Sequence, residues 1–267
     1  MEQSFSGHRF KKSLGQNFLS DTNLLRAIAR DAGVAPTDTV LEIGAGAGTL
    51  TAILCESAGK VVSYEVDSEL VPRIQAATEG KGDFTLRLKD FMEESEDELL
   101  ALSPFYVVAN LPYYITTPVL MRLLESKAEV KGITIMVQKE VAERIVASPG
   151  SKNYSALSLA AARFGNAKIS RAVPRTMFCP PPNVDSAVVV LTPEKRYFPK
   201  NEAFFARLCR AAFAMRRKTL CNNAQEVLGI RKEITAAALQ KMGLSATVRG
   251  ETLSAQQLCD LSDLLCE

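Results

Sequence analysis

From residue 39 onward, short runs of β-branched and aliphatic residues alternate with stretches of helical period: TVLEIG, TLTAILCESAG, KVVSYEVD, SELVPRIQAAT, DFTLRLKD, FYVVANLP, PVLMRLLES and ITIMVQKE. No other feature restricts the fold so far. A strand that returns parallel to its neighbour needs a crossover, and a helix supplies it, so this order predicts an α/β, Rossmann-like, doubly wound and mostly parallel sheet. In such a sheet the ligand lies beyond the carboxyl ends of the strands. Upstream, Ser20 or Asp21 is placed to cap a helix through Arg30, closed by Gly33 ahead of Pro36. Runs at about 167 to 173 and 185 to 193 flank the prolines at 180 to 182 and are expected to form an antiparallel edge of the same sheet. After Pro193 strand signals cease and helical spacing takes over, which divides the chain into residues 1–195 and a small all-helical domain over 196–267.

Composition removes several functional classes. The 267 residues are 47% hydrophobic and 23% charged, a globular balance that leaves no room for a disordered or collagen-like chain. No stretch approaches the roughly 18 apolar residues of a membrane helix. The opening MEQSFSGHRFKKSLGQNF has cations with no apolar run behind them, so a cytoplasmic protein is expected. Six cysteines, at 55, 179, 209, 221, 259 and 266, form no CxxC pair and read as reduced thiols. With His8 the single histidine, neither a histidine-based triad nor a Cys/His zinc site is available, and no metal is expected. A monomer is expected, since no coiled coil or apolar surface stripe is visible.

The net charge of +2 hides an asymmetry. Residues 1–143 carry 14 Lys/Arg against 21 Asp/Glu, whereas 144–267 carry 18 against 9. Between Glu143 and Asp185 stand six cations and no acid, and between Glu202 and Glu226 five more. One such run is often only a solvated helix face, but two in one half point to a polyanionic partner.

Glu42-Ile-Gly44-Ala-Gly46-Ala-Gly48-Thr49 follows the first strand of the alternation and opens a helix. Glycines there let the backbone turn sharply and come closer to a ligand than any Cβ would permit. A dinucleotide GxGxxG would need glycine where Thr49 stands, so the ExGxGxG spacing favours S-adenosylmethionine over NAD. Glu65 ends the next strand 21 residues after Gly44, placed to accept from ribose hydroxyls, with an ordinary capping acid as the plainer reading. Asp90, at the end of the third strand, is placed to accept from an adenine amine or to N-cap the acidic segment after it.

The most specific motif is Asn110-Leu111-Pro112-Tyr113, at the end of FYVVAN. An exocyclic adenine amine is a poor nucleophile because its lone pair is delocalised into the ring. The side-chain oxygen of Asn110 and the carbonyl of Leu111 can accept its two N–H hydrogens and turn the lone pair toward an electrophile. Pro112 fixes the turn without a competing donor, and Tyr113 offers a face on which a flipped base can stack. A sulfonium methyl is already a strong electrophile, so positioning matters more than a strong base. The plainer reading is a tight turn at a strand end.

With KKSLGQNFL, VLEIGAGAGTLT, YEVD, VVANLPYYITTPVL, QKEVAERI, FCPPPNVDSAVV and AAFAMRRKTL all present, the chain resembles the KsgA (RsmA)/Erm/Dim family of rRNA adenine N6,N6-dimethyltransferases over nearly its whole length. KSLGQNF, PPPNVDSAVV and AFAMRRKTLCNN are most similar to the KsgA branch. The resemblance implies an S-adenosylmethionine-dependent methyltransferase sheet, and a cofactor pocket that also draws on Gln16, Asn17 and Leu19, which alone read as a flexible loop. It implies that Phe178 faces the target adenine opposite Tyr113, although a lone Phe near a strand is more often core. It further implies a substrate of two adjacent adenosines in a hairpin loop near the 3′ end of 16S rRNA, in the small ribosomal subunit. Arg144, Lys152, Arg216, Arg217 and Lys218 are then expected to hold that RNA, and SPGSKNY at 148 to 154 resembles a substrate-side loop. Four other functions compete: an Erm-type 23S rRNA methyltransferase, a non-catalytic ribosome-assembly factor, a nicotinamide oxidoreductase and a DNA adenine methyltransferase. The last typically shows [DN]PP[YF] where this chain has NLPY.

Overall fold

A computed structural model describes residues 11, 16–19 and 21–266; His8 and Ser20 lie outside them. The first helix, α1 (Thr22–Ala32), starts where Asp21 accepts from the backbone N–H of Asn23 and Leu24 at 2.9 and 3.1 Å. It ends at Gly33, whose φ of 66° is a left-handed C-cap. Leu25, Ile28 and Ala29 form its buried face.

The strands β2 (Thr39–Ile43), β3 (Lys60–Glu65), β4 (Asp83–Leu88), β5 (Phe105–Asn110) and β6 (Val130–Gln138) pair in parallel, joined by α2 (Thr49–Ser57), α3 (Val71–Thr78), α4 (Glu96–Leu102) and α5 (Thr116–Glu125). Val40, Leu41, Val61, Val107 and Val108 are buried, as in a sheet covered on both faces. Two more strands, β7 (Gly165–Val173) and β9 (Ser186–Pro193), complete a seven-stranded sheet of order β4-β3-β2-β5-β6-β9-β7. β9 runs antiparallel to β6, from Ile133 opposite Leu191 to Gln138 opposite Ser186. Its place inside the sheet explains why Ser186–Leu191 is a continuous buried run, whereas in β7 at the edge only the terminal Gly165 and Val173 are buried. The chain leaves β2 toward β3 and β4, then returns to build β5 and β6 on the other side. The switch point therefore lies between β2 and β5, where the sequence places its glycine-rich loop and NLPY.

A separate two-residue ladder pairs β1 (Phe18–Leu19) with β8 (Phe178–Cys179), Leu19 opposite Phe178. It joins a segment near the N-terminus to the turn before β9.

The chain forms two compact units. One comprises the described residues up to Ala142 together with Ala167–Pro193; the other comprises Glu143–Asn166 and the described residues from Glu194 on. The later crossing lies within two residues of the boundary read at 195. Nothing in the sequence marks the excursion of 143–166, because the helix α7 (Ala156–Phe164) has the period of any crossover helix, which does not tell which core it joins. The second unit packs Tyr154 and Leu159 with Phe205, Leu208, Leu239 and Leu258, gathering the loop before α7 and α7 itself with α8 (Glu202–Ala214), α10 (Lys232–Lys241) and α11 (Ala255–Leu265). The Tyr154 hydroxyl donates to the Leu253 carbonyl at 3.1 Å.

Candidate active site

At the switch point of the first unit a cavity of about 1060 Å³, counted out to its mouth, opens off the ends of β2 to β5. Gln16, Asn17, Leu19, Glu42, Gly44, Gly46, Glu65 and Asp90 line it together with Asn110, Leu111, Pro112, Tyr113 and Phe178. Of the residues expected at the cofactor, only Gly48 stands behind the wall. Its φ is 78°, and a Cβ there would meet Ala77 Cβ and the Ile74 Cα at 3.0 Å, so this glycine lets α2 pack close against α3. Gly46 is different: its φ is 58°, and a Cβ would press on the Phe18 ring at 3.1 Å inside the cavity wall. The N–H groups of Gly44 and Ala45 both donate to the Tyr64 carbonyl, at 2.8 and 3.1 Å, which ties the loop to β3.

Three carboxylates line this cavity, each with different partners. Glu42 is fully buried and its Oε2 accepts from Thr51 and Ser63 at 2.7 and 2.6 Å. Burial pushes its carboxyl up to about 7 against those hydrogen bonds. Its Oε1 has no hydrogen-bond partner among the described residues. Glu65 accepts from Gly46 N at 2.8 Å with Oε2, and from Val66 N and Asp67 N, both at 2.9 Å, with Oε1. A carboxylate has about four acceptor directions, so roughly one remains for a ligand. Asp90 caps only the short turn Phe91–Glu93, its Oδ1 accepting from Met92 N at 2.8 Å, while Ser95 caps the acidic helix α4 that the sequence offered it; Asp90 also lines the cavity.

NLPY turns off the end of β5 beside Gly44. The Pro112 carbonyl accepts from Ile115 N at 3.2 Å and Thr116 Oγ1 at 3.1 Å, which starts α5. Asn110 Nδ2 donates to the Asn17 carbonyl at 3.4 Å, and the Tyr113 hydroxyl bonds Ser186 Oγ at 2.7 Å. Phe178, 5% exposed, is part of the core and lines the cavity at once, so the two readings of it coexist.

All the cations expected to hold RNA lie in the second unit. Arg216, Arg217 and Lys218 are exposed in the turn between α8 and α9 (Leu220–Leu228). Arg216 donates to the Lys152 carbonyl at 3.2 Å and to Glu251 Oε2 at 3.2 Å, bringing that turn to the 148–154 loop. Arg144 sits in the last turn of α6 (Lys139–Ile145). Sequence reasoning missed Asp67, Ser186 and Tyr114. YEVD carried a signal for Asp67, an acid two residues past a buried strand; Ser186 carried none, being a single polar residue in an apolar strand. Among the described residues no cluster of three or more His, Cys, Asp or Glu is placed to hold a metal. No described helix is long and apolar enough to cross a membrane.

Residues 7–267 match the family model for ribosomal RNA adenine dimethylase. This chain belongs to the ribosomal RNA adenine dimethylase family. Ribosomal RNA small subunit methyltransferase A of Lachnoclostridium phytofermentans is 43% identical over 97% of this chain and 92% of that protein, and its namesake from Geobacillus thermodenitrificans is 42% identical over the same shares. Among solved structures, a dimethyladenosine transferase from Plasmodium falciparum superposes with a TM-score of 0.75 at 27% identity, over 91% of this chain and 95% of that one. The 23S rRNA methyltransferase ErmE shares the fold, with a TM-score of 0.71 at 24% identity over 94% of this chain and all of that one.

As a ribosomal RNA adenine dimethylase the chain is a methyltransferase that uses S-adenosylmethionine. Its residues fit that donor. A buried carboxylate oxygen without a partner suits a cationic group, and Gly46 keeps the loop free of a Cβ that would narrow the cavity.

Proposed function

We propose that the chain transfers methyl groups from S-adenosylmethionine to the N6 amines of two adjacent adenosines near the 3′ end of 16S rRNA, in the small ribosomal subunit. The observation that carries this reading is NLPY: its Asn110 amide is turned by the Asn17 carbonyl, and it lines one cavity with Glu65 and Asp90. Bound there, the donor supplies an electrophilic methyl group. Asn110 Oδ1 and the Leu111 carbonyl hold the two N–H hydrogens of the adenine amine and aim its lone pair. Tyr113, fixed through Ser186, and Phe178 present aromatic faces to the flipped base and keep water from it. The proton leaves the amine after transfer, when the nitrogen is acidic, so no strong base is required. Glu65 and Asp90 hold the adenosine part of the donor, with Gln16, Asn17, Leu19, Glu42 and Gly44 around it.

In this reading residues 196–267, with Arg144 and Lys152, form the RNA-holding part, and Arg216, Arg217 and Lys218 contact phosphates. The curated relatives at 42 to 43% identity are named for the small subunit, which favours 16S over 23S rRNA. We take the enzyme to work as a monomer, since its sequence carries no coiled coil or apolar surface stripe, in the cytoplasm where ribosomes are built.

Labelled methyl transfer to small-subunit and large-subunit RNA in parallel tests the substrate: label on the small-subunit RNA supports this reading, and label only on the large-subunit RNA would replace it with the 23S one. Alanine at all three of Arg216, Arg217 and Lys218 should weaken RNA binding and flatten the slope of log K against log salt by about 0.7 to 0.9 per lost phosphate contact.

A further inference from the structure

Asp67 lies two residues beyond β3, closing YEVD without a role in the site described above, and its carboxylate is wholly buried. A buried charge requires partners, and both side chains that supply them come from far along the chain. Oδ1 accepts from Lys11 Nζ at 2.7 Å and from Glu69 N at 3.1 Å; Oδ2 accepts from Gln16 Nε2 at 2.7 Å. The third edge of the triangle is a bond from Lys11 N to Gln16 Oε1 at 2.9 Å. Burial alone would raise the Asp67 carboxyl, yet the hydrogen bonds from Lys11 and Gln16 outweigh it and hold the group below its ordinary value.

What this clamp holds matters more than the clamp itself. Directly after Gln16 come Asn17, whose carbonyl orients Asn110, then Phe18, whose ring lies against Gly46, then Leu19, which pairs with Phe178. On the other side, Asp67 N donates to Glu65, one of the three carboxylates of the cavity. The Gln16 amide thus has its oxygen and one N–H committed to the clamp, and that residue serves the cavity chiefly by anchoring 16–19.

We propose that Asp67, with Lys11, is a positioning pair that holds residues 16–19 as one wall of the cofactor cavity, so that releasing it weakens binding of S-adenosylmethionine, while bound donor re-seats that wall and with it the Asn17–Asn110 contact, leaving transfer intact at saturating donor. This rests on the cavity being the cofactor site. Removing a hydrogen bond to a charged group in a part-buried setting lowers affinity by roughly tenfold.

The test measures S-adenosylmethionine binding by calorimetry, without RNA, for the wild type, Lys11→Met, Lys11→Arg and Asp67→Asn, alongside KM and kcat on unmethylated small subunits. Lys11→Met and Asp67→Asn should each raise Kd and KM for the donor about tenfold, with kcat at saturating donor within about twofold, and Lys11→Arg should restore most of the loss. If Asp67→Asn does not fold, Lys11→Met decides alone, since Lys11 is partly exposed. Unchanged donor affinity in Lys11→Met, or a fall in kcat with KM preserved, would overturn the proposal. A wild type that binds no S-adenosylmethionine would instead remove the cofactor reading beneath it.

Discussion

Asn110 meets Asn17 through its amide nitrogen, Nδ2 donating to the Asn17 main-chain oxygen at 3.4 Å. A carbonyl can pair only with an N–H, so the contact settles which way the amide is turned and points Oδ1 away from Asn17. Because the acceptor is backbone, Asn17→Ala leaves it in place. That variant should keep kcat within about threefold of the wild type at saturating donor, however much its donor KM rises; a large loss of kcat would show that the side chain at 17 acts on transfer itself.

Tyr113 and Ser186 form a second fixed pair, at 2.7 Å between the end of β5 and the start of β9. Losing one neutral hydrogen bond is worth about 1 kcal/mol, or roughly fivefold. Ser186→Ala and Tyr113→Phe should each lower kcat/KM by that factor, and the double variant should fall no further than either, since both remove the same bond. Additive losses would mean that the two residues act separately.

The neighbouring glycines separate stability from binding. Alanine at Gly48 would adopt a left-handed φ and press on Ile74 and Ala77, so Gly48→Ala should lose about 2 to 4 kcal/mol of unfolding free energy. The donor affinity of its folded fraction should stay near that of the wild type. In Gly46→Ala the added methyl faces Phe18 in the cavity wall, and donor affinity should fall at least as clearly as stability. Denaturant titration with calorimetry on both variants distinguishes the two roles.

Glu42 makes a prediction about pH. Its carboxyl stands at about 7 in the folded chain against an ordinary 4.5, so the native state holds the extra proton and stability falls as pH rises through that interval. The loss is fully present above about pH 7 and absent below 4.5. Glu42→Gln abolishes it, and the variant should be the more stable at pH 8.5, by at most on the order of 3 kcal/mol, with the difference gone near pH 4.5. Thermal unfolding across that range checks this; a difference independent of pH would contradict it.

The order of elements, the switch point and most of the cavity were legible because each leaves a local mark: β2 is a short, mostly apolar run followed at once by spaced glycines, and Asn110 and Tyr113 stand either side of Leu111-Pro112 at a strand end. Ser186 and the excursion of 143–166 left none, and Asp67 left only its place as an acid two residues past a buried strand. Asp67 matters through Lys11 and Gln16, more than fifty residues away. Ser186 is one hydroxyl in a run of buried aliphatics whose partner lies 73 residues earlier. Tyr154 and Leu159 are as apolar as any residue of a crossover, and which core they join depends on α8 and α11, not on their own period. Gly48 shows the reverse: the spacing marks it as a cofactor residue like Gly44 and Gly46, while its position is used for packing.

On the proposed reading, the NLPY turn presents an adenine amine to the methyl donor. The direct measurement is mass spectrometry of nucleosides from unmethylated small ribosomal subunits incubated with S-adenosylmethionine and either the wild type or Asn110→Ala. N6,N6-dimethyladenosine should accumulate with the wild type, and its rate of formation should fall by roughly 10² or more in the variant, as when one preorganised hydrogen-bonding group is lost, while the variant still binds the donor. Dimethyladenosine formed equally fast by Asn110→Ala, or none formed by a wild type that binds both donor and subunit, would contradict it.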